Sequence, residues 1–464
     1  MRKIIYALVP VLFIAVNIMC GSCSAMRHCR TVSLEIPDSI PGMTDSTSIA
    51  DVEWWTFYGD SLLNSLIYKA LENNKKFQAA AENIERLRQM YGVSKAELFP
   101  TIGINAYAQR ETEHYSGESF SGDNEYGVKG TLRWEADLFG NLRWSAKKNK
   151  AAYLASVEDM RAMQITLIAE TATAYFNLIA IENEDIIVRR TIETRAEELS
   201  KAKLRFEGGL TSELPYIQAQ VEYATAKALI PAIEKRAEAT RNALSVLVGE
   251  FPGQKFQVNA TGEIAVHPRY VPLGLPSDLL KRRPDIRASD MRLAQAAAAV
   301  GVAHADRFPK FSFNLTGGIE NDTFDKFFSA PYSLISGNIL APIIDFGRKK
   351  RNYKAAVAAY NQAGYEYEQV VVEAFRETAD ALADYIKTRE LTDSRIAVRD
   401  AAKKYTAHAR LQYLGGGSYL DVLDAQRRYL DAEIGLSNAV RDERIALVML
   451  YKSLGGGWSM EHAR

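Results

Sequence analysis

Apolar and polar residues alternate along two stretches of the first half of the chain, residues 101–110 and 126–135. The second half repeats the pattern at 311–316 and, less regularly, at about 332–341. A period of two predicts β-strands, here arranged as two hairpins. Strands of about ten residues with one apolar and one polar face suit a membrane β-barrel that has lipid outside and water inside. Two hairpins of a soluble sheet packed on helices would show the same alternation, so both architectures stay open at this point.

Each predicted hairpin is followed by a very long stretch of helix-forming residues. Gly140 and Gly208 lie 68 positions apart with no Pro or Gly between them, and Gly347 and Gly415 lie 68 apart with only Gly364 between them. Both intervals are rich in Ala, Glu, Lys, Arg and Leu, which favour helix. At 1.5 Å per residue each helix would be about 100 Å long. A second helical segment follows each glycine turn, which predicts two antiparallel helical hairpins with tips.

The two halves of the chain repeat one another. The segment AELFPTIGINA at 96–106 matches ADRFPKFSFNL at 305–315, and DLFGNLR at 137–143 matches DFGRKKR at 345–351. Corresponding residues are about 207 positions apart. This period is too long for a solenoid repeat and indicates duplication of a half-molecule.

The number of strands requires oligomerisation if the sheet lies in a membrane. Four strands cannot close a water-filled barrel, because the smallest membrane barrels have about eight. An unpaired strand edge in lipid has no water to satisfy its backbone groups, so the barrel must close. Two copies would reach only the packed minimum, whereas three copies would supply twelve strands, which fits a conduit better.

The N-terminus has the pattern of an export signal. Arg2 and Lys3 precede an apolar run from Ile4 to about Met19, which is short for a transmembrane helix. The following Gly-Ser-Cys resembles the lipoprotein box of bacterial signal peptides, with Cys23 as the acylated first residue of the mature chain. A plain signal peptide with incidental cysteines is the alternative. Residues 31–50 are rich in Pro, Ser and Thr, as expected of a tether.

Composition argues against several classes of function. The chain has 57 basic and 57 acidic residues, so it carries no net field that would attract nucleic acid. The three cysteines all precede residue 30, and the six histidines show no metal-ligand spacing. We therefore expect no cofactor and no metal site. No nucleophile elbow is present, and the DFG letters lack the other kinase motifs, so we expect no enzyme activity.

Several motifs together resemble the TolC/OprM family, and in particular its lipoprotein branch that serves resistance-nodulation-division (RND) efflux pumps. They are GLPSDLLKRRPDIRAS at 274–289, WEADLFGNLR at 134–143, the Phe-Pro corners at 99–100 and 308–309, and YLDVLDAQ at 419–426. The resemblance runs from about Trp54 to Gly457. It implies a mainly α protein with a membrane β-barrel: a homotrimeric, twelve-stranded channel in the outer membrane, continued by a long coiled-coil tunnel through the periplasm. It also implies a periplasmic adaptor and an inner-membrane RND transporter as partners.

This interpretation divides the chain into six segments. They are a lipoprotein signal peptide (1–22), a lipid-anchored tether (23–50), a first repeat (51–250), a linker (251–275), a second repeat (276–457) and a C-terminal tail (458–464). Each repeat is expected to contain a helix, a β-hairpin (about 101–137 and 310–345) and a long helical hairpin (about 141–249 and 348–455).

The RRPDIR motif is interpreted as architecture rather than as a binding site. Pro284 suits the first position of a helix, and Asp285 in the first turn complements the helix dipole. Arg282, Arg283 and Arg287 are expected to pack and form salt bridges, with ligand binding as the alternative.

The hairpin tips are expected to contact the adaptor, because they are the parts that project deepest into the periplasm. They comprise Gly208, Gly209, Leu210, Thr211 and Ser212 in the first hairpin, and Gly415, Gly416, Gly417 and Ser418 in the second. The alternative is that they are only turns.

Two carboxylates directly after the second tip are expected to form a gate. On a helix, Asp421, Asp424, Arg428 and Asp431 fall on one polar stripe, and Leu423 and Leu430 lie away from it. The first hairpin has Pro215 and Gln218 at the places of Asp421 and Asp424, so a trimer would present six acids from the second hairpin only. Such a ring would favour cations at a constriction. Family members carry gate aspartates in the matching LDVLDA segment, whereas the alternative is that both residues simply favour a helix N-terminus.

The most favoured function is therefore the passive exit duct of a tripartite efflux pump. The outer-membrane component of a type I secretion system, a periplasmic coiled-coil scaffold and a secreted enzyme are the alternatives. The exported substrate is open, because a wide water-filled tunnel discriminates little.

Overall fold

A computed structural model describes residues 26, 28–32, 60–113, 121–258, 276–341 and 344–456, and its two halves have the same order of elements. The first half contains α1 (Ser61–Asn73), α2 (Lys75–Ala96), β1 (Thr101–Glu113), β2 (Ser121–Ala136), α3 (Asn141–Glu207) and α4 (Leu214–Leu247). The second contains α5 (Pro276–Arg282), α6 (Pro284–Ala305), β3 (Lys310–Asn321), a 3-10 segment (Phe324–Ser329), β4 (Pro331–Leu340), α7 (Arg348–Leu414) and α8 (Tyr419–Ser453). The predicted strands and long helical hairpins are confirmed. The single helix expected before each β-hairpin is instead a pair, with a break at Asn74 and another at Arg283.

The four strands form one antiparallel sheet in the order β1-β2-β3-β4, so the two repeats join through β2 and β3. The register aligns residues of one kind across all four strands. An apolar row consists of Ile102, Leu132, Leu315 and Ile335, and the adjacent polar row consists of Thr101, Arg133, Asn314 and Ser336. One face of the sheet is therefore apolar and the other polar, as the alternation predicts.

Much of the apolar face of the sheet is exposed, and its two outer edges pair with no other strand among the described residues. Ile102 and Ile335 are 78% and 81% exposed at opposite ends of the apolar row. Within the described chain β1 pairs only with β2, and β4 pairs only with β3. An exposed apolar face requires a lipid environment, and two open strand edges require pairing with other strands.

The long helices α3 and α7 have 67 residues each and end in the same hydrogen-bonded turn. At the end of α3, the N–H of Leu210 donates to the carbonyl of Arg205 at 2.8 Å, and Gly209 has a φ of 68°. At the end of α7, the N–H of Gly417 donates to Gln412 at 2.9 Å, and Gly416 has a φ of 102°. This is the Schellman arrangement, which needs a left-handed residue and so favours glycine.

The first of two compact units contains the sheet, the adjoining parts of the helices and the N-terminal residues 26 and 28–32. In it, the DLFG and DFG segments form the corners where a strand passes into a long helix. Asp137 accepts hydrogen bonds from the N–H groups of Leu142 (3.1 Å) and Arg143 (2.9 Å). Asp345 accepts from Gly347 (2.9 Å) and Lys349 (3.1 Å) in the same way. Each aspartate thus satisfies the free donors at a helix start.

The second compact unit contains the remaining helical parts, and its core is built around α1 and the middle of α3. Leu63 and Ile67 of α1 are fully buried there. The hydroxyl of Tyr175 on α3 donates to Asp60 at 2.5 Å, and burial raises the pKa of this phenol. One window of α3 is long and apolar enough to cross a membrane, but 56% of that window is buried within the protein, so packing accounts for its composition.

Candidate functional site

The tips of the two helical hairpins are exposed turns with free space around their glycines. A β-carbon built on Gly209 or on Gly416 would meet no atom within 4 Å. Leu210, next to Gly209, is 74% exposed. The first tip therefore presents an apolar side chain, and both tips present accessible backbone.

The polar stripe predicted on α8 is present. Asp421, Arg428 and Asp431 are exposed and Asp424 is partly exposed, whereas Leu423 and Leu430 are buried on the opposite side. Ser418 caps α8 by accepting a hydrogen bond from the N–H of Leu420 at 3.2 Å. The helix start is thus already capped by a side chain other than the two aspartates.

The two aspartates of the stripe differ in their contacts. Asp424 Oδ2 accepts a hydrogen bond from Arg428 Nε at 2.8 Å and lies 3.5 Å from the hydroxyl of Tyr405 on α7. The bond from Arg428 holds the pKa of the Asp424 carboxyl below its usual range. The side chain of Asp421 makes no hydrogen bond or ion pair with any residue that the structure describes, and it is exposed. One acid is therefore fixed by a basic partner and the other is free to meet ions or another chain.

Glu198 of α3 connects the two hairpins near the acidic stripe. Its Oε1 accepts hydrogen bonds from Arg410 of α7 at 2.9 Å and from Gln426 of α8 at 2.5 Å. Nearby, Tyr419 at the start of α8 is partly buried, and its pKa is raised to about 12, mainly by desolvation and secondly by the charge of Glu198. Glu198 could not be predicted as part of this group, because its contacts with Arg410 and Gln426 depend on how α3 packs against α7 and α8, which no local pattern records.

The RRPDIR motif lies at the break between α5 and α6, and its side chains hold helices together. Arg283 is 7% exposed and donates to the carbonyl of Ser453 at 3.0 Å, to Asp285 at 2.6 Å and to Glu377 at 2.7 Å. Arg287 pairs with Glu158 at 2.8 Å. These contacts favour the architectural interpretation of the motif over ligand binding.

The first repeat has an equivalent of the Arg283 contact. Asn74 occupies the break between α1 and α2, and its Nδ2 donates to the carbonyl of Leu247 at 2.9 Å. Leu247 and Ser453 are the last residues of α4 and α8, the returning helices of the two hairpins. In each repeat, the residue at the break therefore binds the end of the returning helix. Asn74 makes this contact in the first repeat, and Arg283 makes it in the second.

The polar face of the sheet carries a group of bonded side chains that spans three strands. The hydroxyl of Tyr107 on β1 lies 2.8 Å from Glu125 on β2 and 2.7 Å from Glu320 on β3. A β-carbon at Gly127 would come within 2.5 Å of the Tyr107 ring, so only glycine lets the ring cross β2. Lys129 Nζ lies over the same ring, 4.7 Å from its centroid. This face is charged and hydrogen-bonded, as the wall of a water-filled lumen requires.

Comparison with known proteins identifies the family. The model of the outer membrane efflux protein family matches residues 66–250 and 275–456, the two repeats. The chain belongs to this family. It is 32% identical over 458 residues to the solvent efflux pump outer membrane protein SrpC of Pseudomonas putida, covering 96% of this chain and 97% of that protein. The fold matches the outer-membrane channel OprN with a TM-score of 0.85 and 28% identity, over 92% of this chain and 98% of that one. It also matches the open state of the MtrE outer membrane channel of Neisseria gonorrhoeae, with a TM-score of 0.81 and 29% identity over 92% and 97% of the two chains.

Membership of this family decides between the classes of function left open by the sequence. The chain is an outer-membrane efflux channel, not an enzyme and not a periplasmic scaffold. Within it, the described structure places the predicted acids and the second tip together at the α7–α8 turn, and the first tip at the α3–α4 turn. The RRPDIR residues lie elsewhere, at the α5–α6 break. Cys23, the predicted lipidation site, lies outside the described residues.

Proposed function

We propose that three copies of the chain close a twelve-stranded barrel in the outer membrane and form the passive exit duct of a tripartite pump. The observation that carries this proposal is the four-stranded sheet with an exposed apolar face and two open edges. Lipid would cover the apolar face, and β1 of one copy would pair with β4 of the next. Three sheets give twelve strands, which is wide enough for an aqueous lumen.

The mass of the purified protein tests the trimer. The full-length chain is extracted in a mild detergent, and light scattering coupled to size exclusion gives the protein mass within the micelle. We expect three times the mass of the acylated chain, with one species. A monomer or dimer that still restores efflux in cells lacking the protein would contradict the proposal.

The proposed partners follow from the position of the tips. A periplasmic adaptor contacts the exposed turns at the tips of the helical hairpins and connects the duct to an inner-membrane RND transporter. The transporter supplies the energy, because the family to which this chain belongs consists of outer-membrane efflux channels. Leu210 and the backbone of both glycine turns supply the contact surface.

The acidic stripe of α8 is the proposed periplasmic gate. In the trimer, Asp421 and Asp424 of each copy line a constriction at the tunnel end. Arg428 neutralises part of the charge of Asp424, so the unpaired Asp421 contributes most of the field that attracts cations. Tyr405 holds Asp424 against α7, which makes the position of this acid depend on how α7 and α8 pack.

Lipid attachment at Cys23 is supported by the contacts of residues 28–32, which we call the strap. Arg30 pairs with Glu368 at 2.8 Å, its backbone N–H donates to Asn361 at 3.0 Å, and its guanidinium lies 4.3 Å from the ring centroid of Tyr365. His28 packs edge-on against Tyr353, with ring centroids 6.4 Å apart. The strap thus follows α7 toward the helix end that is next to β4.

The strap brings Cys23 within reach of the membrane surface. Five residue steps separate Cys23 from His28, a span of at most about 18 Å. Tyr353, which His28 contacts, lies five residues after the start of α7, or about 7.5 Å along the helix. An acyl chain on Cys23 can therefore enter the leaflet at the periplasmic end of the strands.

A further inference from the structure

The connection between β3 and β4 presents aromatic side chains that the described chain leaves uncovered. Within its 3-10 segment, Phe324 is 73% exposed and Phe328 is 82% exposed. Phe327 lies between them, with its ring centroid 6.2 Å from that of Phe324 and 5.2 Å from that of Phe328. Three adjoining phenylalanine rings therefore form one patch, which we call the aromatic loop.

The aromatic loop is held in shape by its own hydrogen bonds. Asn321 Nδ2 donates to the carbonyl of Lys326 at 3.0 Å, and the hydroxyl of Ser329 donates to the same carbonyl at 2.6 Å. The N–H of Thr323 donates to Asn321 Oδ1 at 3.1 Å. The polar groups of the segment are thus engaged internally, while its rings point outward. Burial of such rings is favourable, so a folded loop that displays two of them in water would forgo a sizeable stabilisation.

The position of the loop shows which surface it extends. Phe324 packs edge-on against Tyr126 of β2, with ring centroids 5.6 Å apart. Tyr126 belongs to the apolar face of the sheet, because neighbouring residues of a strand point to opposite faces and positions 127 and 129 of β2 lie on the polar face. The loop therefore continues the apolar face beyond the ends of the strands. It also leans over β3 toward β2, away from the open edge of β4 where another copy would pair.

We propose that the aromatic loop is a membrane anchor whose rings insert among the acyl chains just below the lipid headgroups. In the orientation of the proposed function, on which the choice of leaflet rests, this is the outer leaflet. Asp325 and Lys326 are exposed on the same segment and remain at headgroup level. Aromatic side chains favour this depth because their apolar rings tolerate the boundary between hydrocarbon and water. The anchor sets the height of the channel mouth and keeps the loop out of the lumen.

Depth-dependent quenching of a fluorescent side chain tests the anchor. A coumarin amino acid is incorporated in the full chain at position 328, at 335 on the apolar face of β4, or at 336 on its polar face. Each protein is reconstituted in dioleoylphosphatidylcholine vesicles that contain phosphatidylcholine with a nitroxide at carbon 5 or carbon 12 of one acyl chain. Iodide in the buffer reports exposure to water.

The two strand positions serve as matched controls, because they are adjacent in sequence and lie on opposite faces of the sheet. We expect the probe at 335 to be quenched most by the deep nitroxide and the probe at 336 by iodide only. The probe at 328 should be quenched severalfold more by the shallow than by the deep nitroxide, and weakly by iodide. Quenching of 328 by iodide to the extent seen at 336 would overturn the anchor, and so would protection from all three quenchers, which would indicate contact with another chain. If 335 and 336 do not differ, the barrel itself is contradicted rather than the anchor.

Discussion

Among single residues, the two gate aspartates show how neighbours set the charge of a carboxyl. The hydrogen bond from Arg428 lowers the pKa of Asp424, so Asp424 stays ionised at neutral pH and loses its ion pair only as the pH falls through that lowered pKa. Asp421 lacks a described partner and keeps an exposed charge. Of the two carboxylates, only Asp421 is therefore fully available to cations.

Replacing both acids should open the proposed gate to ions. The double variant Asp421→Ala, Asp424→Ala removes six carboxylates from a trimer and frees Arg428 from its partner. We expect severalfold higher single-channel conductance in planar bilayers and a severalfold weaker block by multivalent cations, because the ring that binds such cations is lost.

Asp393→Ala is the matched control for the gate, since Asp393 is an exposed acid on α7 far from the tip. It should conduct and be blocked like the wild type. If the double variant also behaves like wild type, Asp421 and Asp424 only favour the start of α8 and the constriction lies elsewhere.

Arg283 offers a second test, directed at stability. Arg283→Met removes one of the donors to the carbonyl of Ser453 and the cation that pairs with Asp285 and Glu377, and breaking a buried ion pair costs about 3–5 kcal/mol. Because the partner carboxylates are about half exposed, we expect Arg283→Met to lower the free energy of unfolding by about 2–3 kcal/mol. Thermal unfolding in detergent, followed by circular dichroism, measures this loss of stability. Arg376→Met is the control, because its exposed pair with Asp380 contributes about 0.5 kcal/mol or less. Equal effects of the two substitutions would contradict the structural role of Arg283.

At the scale of elements, the long helices and the strands could be predicted from sequence, and the joints between them largely could not. Alternation identifies β1 and β2, and the glycines that bound α3 and α7 are visible because they must adopt a positive φ. The break at Asn74 has no glycine to mark it, and the contact of Asn74 with Leu247, 173 residues away, leaves no local pattern. The crossing of Tyr107 over Gly127 to Glu320 was equally hidden, because it depends on the register between the two repeats.

The tips allow a prediction that separates contact from backbone geometry. Both Gly209 and Gly416 have positive φ, which asparagine tolerates better than other side chains with a β-carbon. Because each glycine faces open space, a large side chain there would project into the surface proposed to meet the adaptor. We expect Gly209→Trp with Gly416→Trp to abolish export in cells, measured as resistance to a panel of efflux substrates, while the trimer remains in the outer membrane.

The corresponding asparagine variants are the control for the tips. Gly209→Asn with Gly416→Asn should keep most of the export, since the turn is retained and the added side chains are small. Full activity of the tryptophan variant would show that the tips are only turns. Equal loss in both variants would point to the backbone of the turn rather than to its surface.

On the scale of the whole molecule, the compact units do not coincide with the sequence repeats. Each unit combines parts of both repeats, since β2 pairs with β3 in one and α1 and α8 share a core in the other. Duplication therefore produced one intertwined structure instead of two separate domains. The repeat itself was visible in the sequence, whereas this intertwining depends on pairings that no local pattern records.

The strap packs the N-terminal part of the chain against α7. The prediction that belongs to this part of the molecule is that a lipid is attached to Cys23. Cys23→Ser should abolish incorporation of labelled palmitate. Cys29→Ser should not, because Cys29 is half-buried in the strap and burial raises the pKa of its thiol, which disfavours the reactive thiolate. Arg30→Gln should leave the label in place but expose the N-terminal segment to added protease, because it removes the ion pair with Glu368 that holds the strap on α7. Incorporation at the wild-type level in Cys23→Ser would show that the lipid is attached elsewhere. Unchanged proteolysis of Arg30→Gln would show that the strap needs no ion pair to stay on the helix.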